Sequence, residues 1–432
     1  MPDSGTMDGH PPARSQPKGR LMLHINAERL LAGLDTLAKI GATSDGGVER
    51  LAMSEADMAG RRWFKQRVKE AGLEFHADGA GNLSAVLRCS KPDAKTFLAG
   101  SHLDTVPNGG RYDGALGVLA ALEALRTIRE AGLDLPVHLE AISFTDEEGS
   151  VLYLFGSRSL IGELQPEQFQ NSRGGERGVL DGMQRLGLSI EGMLGARRDT
   201  QSLAGYVELH IEQGARLEEA GTNIGIVTSI VGISDFWLTF TGKANHAGTT
   251  PMDRRADALW GASAFVQQAS QLVQTEFSPG VMNVGEISAK PGAFNIVPAE
   301  VKLSFEFRHG TPEALAQMQD QLLALAEKIA AAYGLGLKIE PAGGYAPALM
   351  DERVMAAFEA SADDLGLTHT RLLSFAGHDA ESLSHVVPSG MIFVPSVAGI
   401  SHSPREFTHS HDIVHGANVL LNTIVELATK LD

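Results

Sequence analysis

The stretch AGSHLDTVPNGGRYDGALG, Ala99 to Gly117, sets His102, Asp104 and Asp113 among glycines, between an apolar run and a helical one. Three later stretches repeat that placement. SFTDEEGS ends an apolar run with Glu147 and Glu148, YVELHIEQG brings His210 and Gln213 after an alternating one, and FVPSVAGISHSPREFT sets His402 in a Gly/Ser loop. Side chains at strand ends and in such loops can converge without a helix standing between them. Neutral imidazoles mixed with carboxylates suit a divalent first-row ion. Five groups with one shared carboxylate, namely His102, Asp113, Glu148, His210 and His402, suit two ions about 3.5–4 Å apart.

Asp113 is the candidate bridge. It lies in RYDGALG, where Gly110 and Gly114 would let the backbone turn the aspartate back toward the strand end. An aspartate there would equally cap a helix starting near Ala115. The three consecutive carboxylates of TDEEG repel one another unless something positive neutralises them, although an acidic run is also a common exposed turn. Neighbouring side chains on a regular strand point to opposite faces, so a loop is needed if Glu148 is to ligate while Glu147 serves as a nearby base. The fourfold recurrence favours a metal site, and no HExxH, GxSxG, P-loop or GxGxxG pattern offers a rival chemistry.

The elements that must position these groups alternate. INAERLLAGLDTLAKIG and DMAGRRWFKQRVKEAGL have helical periodicity, EFHADGAGNLSAVL turns extended, KTFLAGSH reads as a buried strand, ALGVLAALEALRTIREAGL as a helix ended by Gly132, and PVHLEAISFTDEEG as the next strand. This predicts an α/β fold with a mostly parallel sheet flanked by helices, whose sites form at the carboxyl ends of the strands. From near Thr222 a strand, a helix, two strands, a helix and a strand predict a compact α+β insert, after which SGMIFVPS returns to the first sheet. The expected division is a tail over residues 1–20, a discontinuous catalytic domain over 21–221 and 342–432, and an insert over 222–341.

Composition removes other classes. At 432 residues, with 43% hydrophobic and 21% charged residues, the chain has the make-up of a globular protein of about two domains. A net charge of −17 repels nucleic acid. The single cysteine, Cys89, excludes an intrachain disulfide and is expected as a small buried residue. No apolar run is long enough to cross a bilayer and the first residues lack a signal-peptide core, so a cytoplasmic location is expected.

From about Ile25 onward, the chain resembles the amidase branch of the M20 metallopeptidase-like superfamily, which holds N-carbamoyl-L-amino-acid hydrolases, β-ureidopropionases and allantoate amidohydrolases. The resemblance rests on GSHLDTVPNGGRYDG, TDEEGS, HIEQG, ANHAGTTPM, FNIVP, FRH, AGHDA and GISHSPREFT, in that order. It implies a di-metal hydrolase domain with His102, Asp113 and His210 around one ion, and Asp113, Glu148 and His402 around the other. Zn, Mn, Co and Ni all accept such ligands. It further implies Glu147 as catalytic base, with Gln213, His246, Asn295, Arg308, Gly377 and His378 at the substrate. The insert becomes a dimerisation and lid domain, with His246 also catalytic and reaching the active site of the partner subunit. Two places depart from the pattern: Glu306 stands where Asp is common, and Val151 where Arg often occurs.

The implied reaction is hydrolysis of the ureido C–N bond of an N-carbamoyl-L-amino acid, Glu147 taking a proton from the attacking water and passing it to the leaving nitrogen. Allantoate or ureidoglycolate is the alternative substrate on the same machinery. A catalytically silent dimeric metal-binding protein is the reading of another class, and the intact Glu147 stands against it.

Overall fold

The computed structural model describes residues 22–430, so the expected tail over 1–20 lies outside the described residues. In chain order the strands are β1 (Glu74–Ala77), β2 (Leu83–Leu87), β3 (Thr96–His102), β4 (His138–Phe144), β5 (Leu203–Ile211), β6 (Ile224–Ile230) and β7 (Gly232–Thr241), followed by β8 (Val281–Asn283), β9 (Ile287–Lys290), β10 (Glu300–His309), β11 (Gly336–Tyr345), β12 (Ala348–Leu349), β13 (His369–Ser374) and β14 (Ser389–Val394). They form two sheets.

The larger sheet runs β1-β2-β4-β3-β5-β14-β6-β12, with β13 also on β6. Its centre is parallel, β4 to β3 to β5 to β14, and its flanks are largely antiparallel. Every residue of β4, β5 and β14 is buried, the mark of strands covered on both faces, so the polar residues of β4 and β5, among them Glu140 and Glu208, are buried with the apolar ones. The helices Ala115–Glu130, Glu352–Asp364 and Ser410–Leu427 pack on this sheet and share one hydrophobic core with it.

The smaller sheet runs β11-β7-β10-β8 with β9 also on β10, all antiparallel. In β10 Val301, Leu303, Phe305 and Phe307 alternate inward and join Phe265 and Met318 of the helices Ala258–Glu276 and Pro312–Ala332 in a separate core. That alternation is what a sheet covered on one face requires.

Two expectations shift. Ile224–Ile230, assigned from the sequence to the insert, pairs with β14 and β13 in the larger sheet, and β11 carries the smaller sheet on to Tyr345. The turn of sheet membership lies between Ile230 and Gly232 because the apolar run is two strands, not one. A third core, around Met53, Phe155, Phe169, Val179 and Met183, gathers short helices between β4 and β5 that the sequence analysis did not resolve. Cys89 is half-buried rather than buried, with its thiol near the carbonyl of Lys91 at 3.4 Å.

Candidate metal centre

The parallel pairing of β3 with β5 sets Ala99 opposite Val207, and three residues further along both strands stand His102 and His210. Their rings lie 6.0 Å apart, and both are 1% exposed. His102 Nδ1 is 3.0 Å from the carbonyl of Asp104, and His210 Nδ1 is 2.9 Å from that of Ile211. A carbonyl only accepts, so each Nδ1 carries a proton and each Nε2 is turned to the cluster, that of His210 lying 3.1 Å from both the Gly114 backbone nitrogen and Asp113 Oδ1.

Asp113 sits between them, held from behind. The Oε1 of Glu406 accepts the backbone N–H groups of Tyr112 and Asp113 at 2.9 and 3.1 Å. Asp113 Oδ1 lies 3.1 Å from His210 Nε2 and 3.6 Å from His102 Nε2, whereas Oδ2 lies 3.3 Å from His402 Nε2 and accepts from Gln213 Nε2 at 2.8 Å. Its two oxygens thus face two different partner sets. The helix-cap alternative is excluded, since Gly114 is the N-cap of Ala115–Glu130 and no side chain caps it. Gly114 has φ 62°, and a Cβ there would lie 2.4 Å from the His102 ring. Gly110 is needed for a different reason from the turn expected of it: a Cβ would occupy the Glu406 carboxylate.

Past β4 the chain leaves strand geometry at Asp146, a non-glycine residue with φ 55°. Asp146 Oδ2 accepts from Val151 N at 3.0 Å and Leu152 N at 2.6 Å, closing a loop. The break in the strand lets consecutive glutamates face one centre, with Glu147 Oε2 3.5 Å from His102 Nε2 and Glu148 Oε1 3.6 Å from His402 Nε2. Gln213 and His402 also have positive φ, 57° and 52°. Strained backbone of this kind persists where surrounding contacts over-determine it, commonly at functional sites.

Three donor triads converge within 4.8 Å: His102, Asp113, His210; His102, Glu147, Glu148; and Asp113, Glu148, His402. The first and third match the ligand sets expected for the two ions. The donor set fits a cation on two further counts. Glu148 Oε1 is buried without a hydrogen-bond partner. Burial, then the neighbouring Asp113 and Asp104, push the Glu148 carboxyl up to about 9, and burial followed by Glu148 and Asp379 drives Glu147 well above the usual range. Burial pulls His210 down, but the hydrogen bond to Asp113, the charges of Asp113 and Glu208 and the carbonyl of Ile211 together outweigh it and raise the imidazole to about 9. A divalent ion in the cluster would supply the positive charge that these carboxylates otherwise take as protons.

The expected substrate residues fall into two groups. Gln213 donates to Asp113, and its Oε1 is buried and unpaired. His378 is buried against His210, ring centres 4.5 Å apart, with Nε2 3.0 Å from Ser374 Oγ, and Gly377 leaves room for the Tyr153 hydroxyl. On the smaller sheet's side, His246 and Asn295 are exposed; the Nδ1 of His246 accepts from Gly248 and Thr249 at 3.0 and 3.3 Å. Neither contacts the metal cluster among the described residues. Arg308 bridges, its Nε donating to Glu306 at 2.7 Å and Nη1 to the carbonyl of Phe375 at 3.2 Å. The sequence reading missed Glu406 and Ser401, whose hydroxyl lies 3.0 Å from Asp113 Oδ2 and 2.8 Å from Glu406 Oε2. Both lie in GISHSPREFT, where only the histidine had been singled out.

The model of the peptidase family M20/M25/M40 matches residues 98–426. An N-carbamoyl-L-amino acid amidohydrolase of Geobacillus stearothermophilus is 37% identical, covering 94% of this chain and 99% of the relative. The allantoate amidohydrolase of Bacillus subtilis (strain 168) is 35% identical, covering 91% and 96%. Among solved structures, a hydantoinase/carbamoylase-family amidase from Burkholderia multivorans superposes with a TM-score of 0.85 at 36% identity, covering 94% of this chain and 99% of that one. With a buried His/Asp/Glu cluster at the strand ends and relatives aligned over almost their whole length, this chain belongs to the peptidase M20/M25/M40 family, as an amidohydrolase within it.

Proposed function

We propose that this enzyme cleaves the ureido C–N bond of N-carbamoyl-L-amino acids, giving the amino acid, ammonia and carbon dioxide. The observation that carries the di-metal reading is the division of Asp113: one oxygen toward His102 and His210, the other toward His402, with Glu147 alongside. The ureido substrate rests on the relatives, N-carbamoyl-L-amino-acid amidohydrolases at 37% and 34% identity.

His102, Asp113 and His210 would hold one divalent ion, and Asp113, Glu148 and His402 the other, with Zn, Mn, Co or Ni suited to these ligands. Bound there, such ions polarise a carbonyl and lower the pKa of a water. Glu147, buried beside His102, takes the proton of the attacking water and delivers it to the leaving nitrogen. Gln213 Oε1, left without a partner, is free to accept a substrate N–H. The planar fork of Arg308 receives the substrate carboxylate, and Asn295, which lies next to His246 on the insert, joins it from the second subunit. His246 donates to the oxyanion. Because His246 is exposed on the insert and away from its own chain's cluster, it serves a second subunit. The wholly exposed edge strand β9 and the exposed Phe294 support pairing of two inserts.

Allantoate is the second reading, favoured by the Bacillus subtilis relative at 35% identity. The deciding experiment is ammonia release from metal-reconstituted enzyme on N-carbamoyl-L-amino acids, their D-enantiomers, N-carbamoyl-β-alanine, allantoate and ureidoglycolate. The specificity constant should be highest for an N-carbamoyl-L-amino acid. A maximum on allantoate would replace the first reading by the second, and no turnover of any ureido compound would refute both.

A further inference from the structure

Beyond the catalytic centre, the described residues hold a second concentration of imidazoles where the C-terminal helix begins. His409 is the N-cap residue of the helix Ser410–Leu427, and His411 and His415 follow on it. The pair His411 and His415 is spaced i, i+4, which puts both rings on one helix face, the spacing that lets two histidines share an ion. The ring centres of His409 and His411 lie 5.4 Å apart, and those of His411 and His415 lie 5.8 Å apart. Two imidazoles bound to one tetrahedral ion through nitrogens about 2.0–2.1 Å away have ring centres roughly 5 Å apart. The catalytic pair His102 and His210, at 6.0 Å, is no closer.

A carboxylate accompanies them: Asp412 is buried, and its Oδ1 lies 3.4 Å from His411 Nε2. The positive end of a helix dipole works against a cation here, and the charge of Asp412 opposes that. His415 Nδ1 is buried and without a hydrogen-bond partner. Burial lowers the His415 imidazole below its ordinary range, which favours the neutral form that ligates. His409 and His411 are exposed, so their rings can turn onto a common point without disturbing the core.

We propose that His411 and His415, with His409 and Asp412 completing the set, form a separate binding site for a divalent transition-metal ion of the imidazole-preferring class. The site is distinct from the catalytic cluster and does not depend on the reaction assigned to that cluster.

The test uses full-length protein saturated with its catalytic metal, desalted, and titrated with Ni²⁺ by calorimetry while the original metal is counted by mass spectrometry. Wild type should take up a further Ni²⁺ with the original metal retained, and the double variant H411Q/H415Q should bind it at least tenfold more weakly. In parallel, paramagnetic Ni²⁺ should broaden the imidazole NMR signals of His411 and His415 before those of other histidines, a readout that needs no variant. Uptake that is unchanged in the double variant, uptake that only displaces the original metal, or broadening that begins elsewhere would each overturn the proposal.

Discussion

Gly114→Ala separates backbone strain from collision, because the chain supplies its own control. Gly132, at φ 68°, has nothing within 4 Å of where its Cβ would lie, so Gly132→Ala registers the left-handed conformation alone, a cost of about 1–2 kcal/mol. Gly114, at φ 62° and ψ −49°, lies in a tighter turn than the left-handed well and adds a collision, its Cβ falling 2.4 Å from atoms of the His102 ring. Relief to about 3.5 Å requires a relative shift of about 1 Å. The His102 ring cannot yield outward, being 1% exposed, with its Nδ1 bound to the Asp104 carbonyl. A metal ligand tolerates about 0.2 Å of displacement. Gly114→Ala should therefore lower metal affinity at least about tenfold, in the range seen when groups orienting ligands are removed. It should also destabilise the chain by about 3 kcal/mol or more, above the Gly132→Ala control. Metal content after dialysis against a graded chelator, and urea unfolding of both variants, provide the measurements. Equal metal affinity in Gly114→Ala and Gly132→Ala would refute the claim that this glycine is kept for the ligand's sake.

Glu147→Gln should reduce ammonia release by about 100-fold or more while metal content stays near that of wild type; loss of the metal would make Glu147 a ligand instead of the base. Asp113→Ala should strip metal and activity together, and a purified variant that kept two ions per chain would end its bridging role. Arg198→Ala tests the ion pair with Glu140, which donates and accepts at 2.7 Å through both nitrogens and oxygens. Burial would raise Glu140, but Arg198 outweighs it and holds the carboxyl below its ordinary 4.5, so this stability is present above pH 4.5 and is lost as pH falls through the lower folded value. The variant should lose about 3 kcal/mol at neutral pH, with the deficit shrinking toward pH 4.5 as Glu140 takes up a proton; a deficit independent of pH, read from unfolding curves, would contradict this. Finally, His246→Ala and Glu147→Gln chains, each nearly inactive alone, should regain activity when reassociated as verified heterodimers, and no gain over the summed activities would sink the shared-site model.

What the sequence determined by itself was local. Periodicity and glycine punctuation marked β3, the helix Ala115–Glu130 and β4, because a strand buried on both faces is rich in apolar residues and a helix commonly ends where a glycine such as Gly132 can take positive φ. Residue chemistry and order singled out His102, Asp113, Glu148, His210 and His402, since imidazoles and carboxylates recur beside four strand-like runs, a repetition that separate caps or exposed turns would not require. The tertiary structure decided what depends on pairing. The register of β3 on β5 is what makes His102 and His210 neighbours across the strands, and no local signal encodes it. Ile224–Ile230 went to the larger sheet because β14 and β13 were there to pair with it, while periodicity alone reads the same for either sheet. The positive φ at Asp146, Gln213 and His402 is a conformation that their side chains disfavour and only surrounding contacts impose. Glu406 looked like any loop glutamate until the fold brought it across 293 positions to the backbone of Asp113, where a buried carboxylate finds the N–H donors it needs.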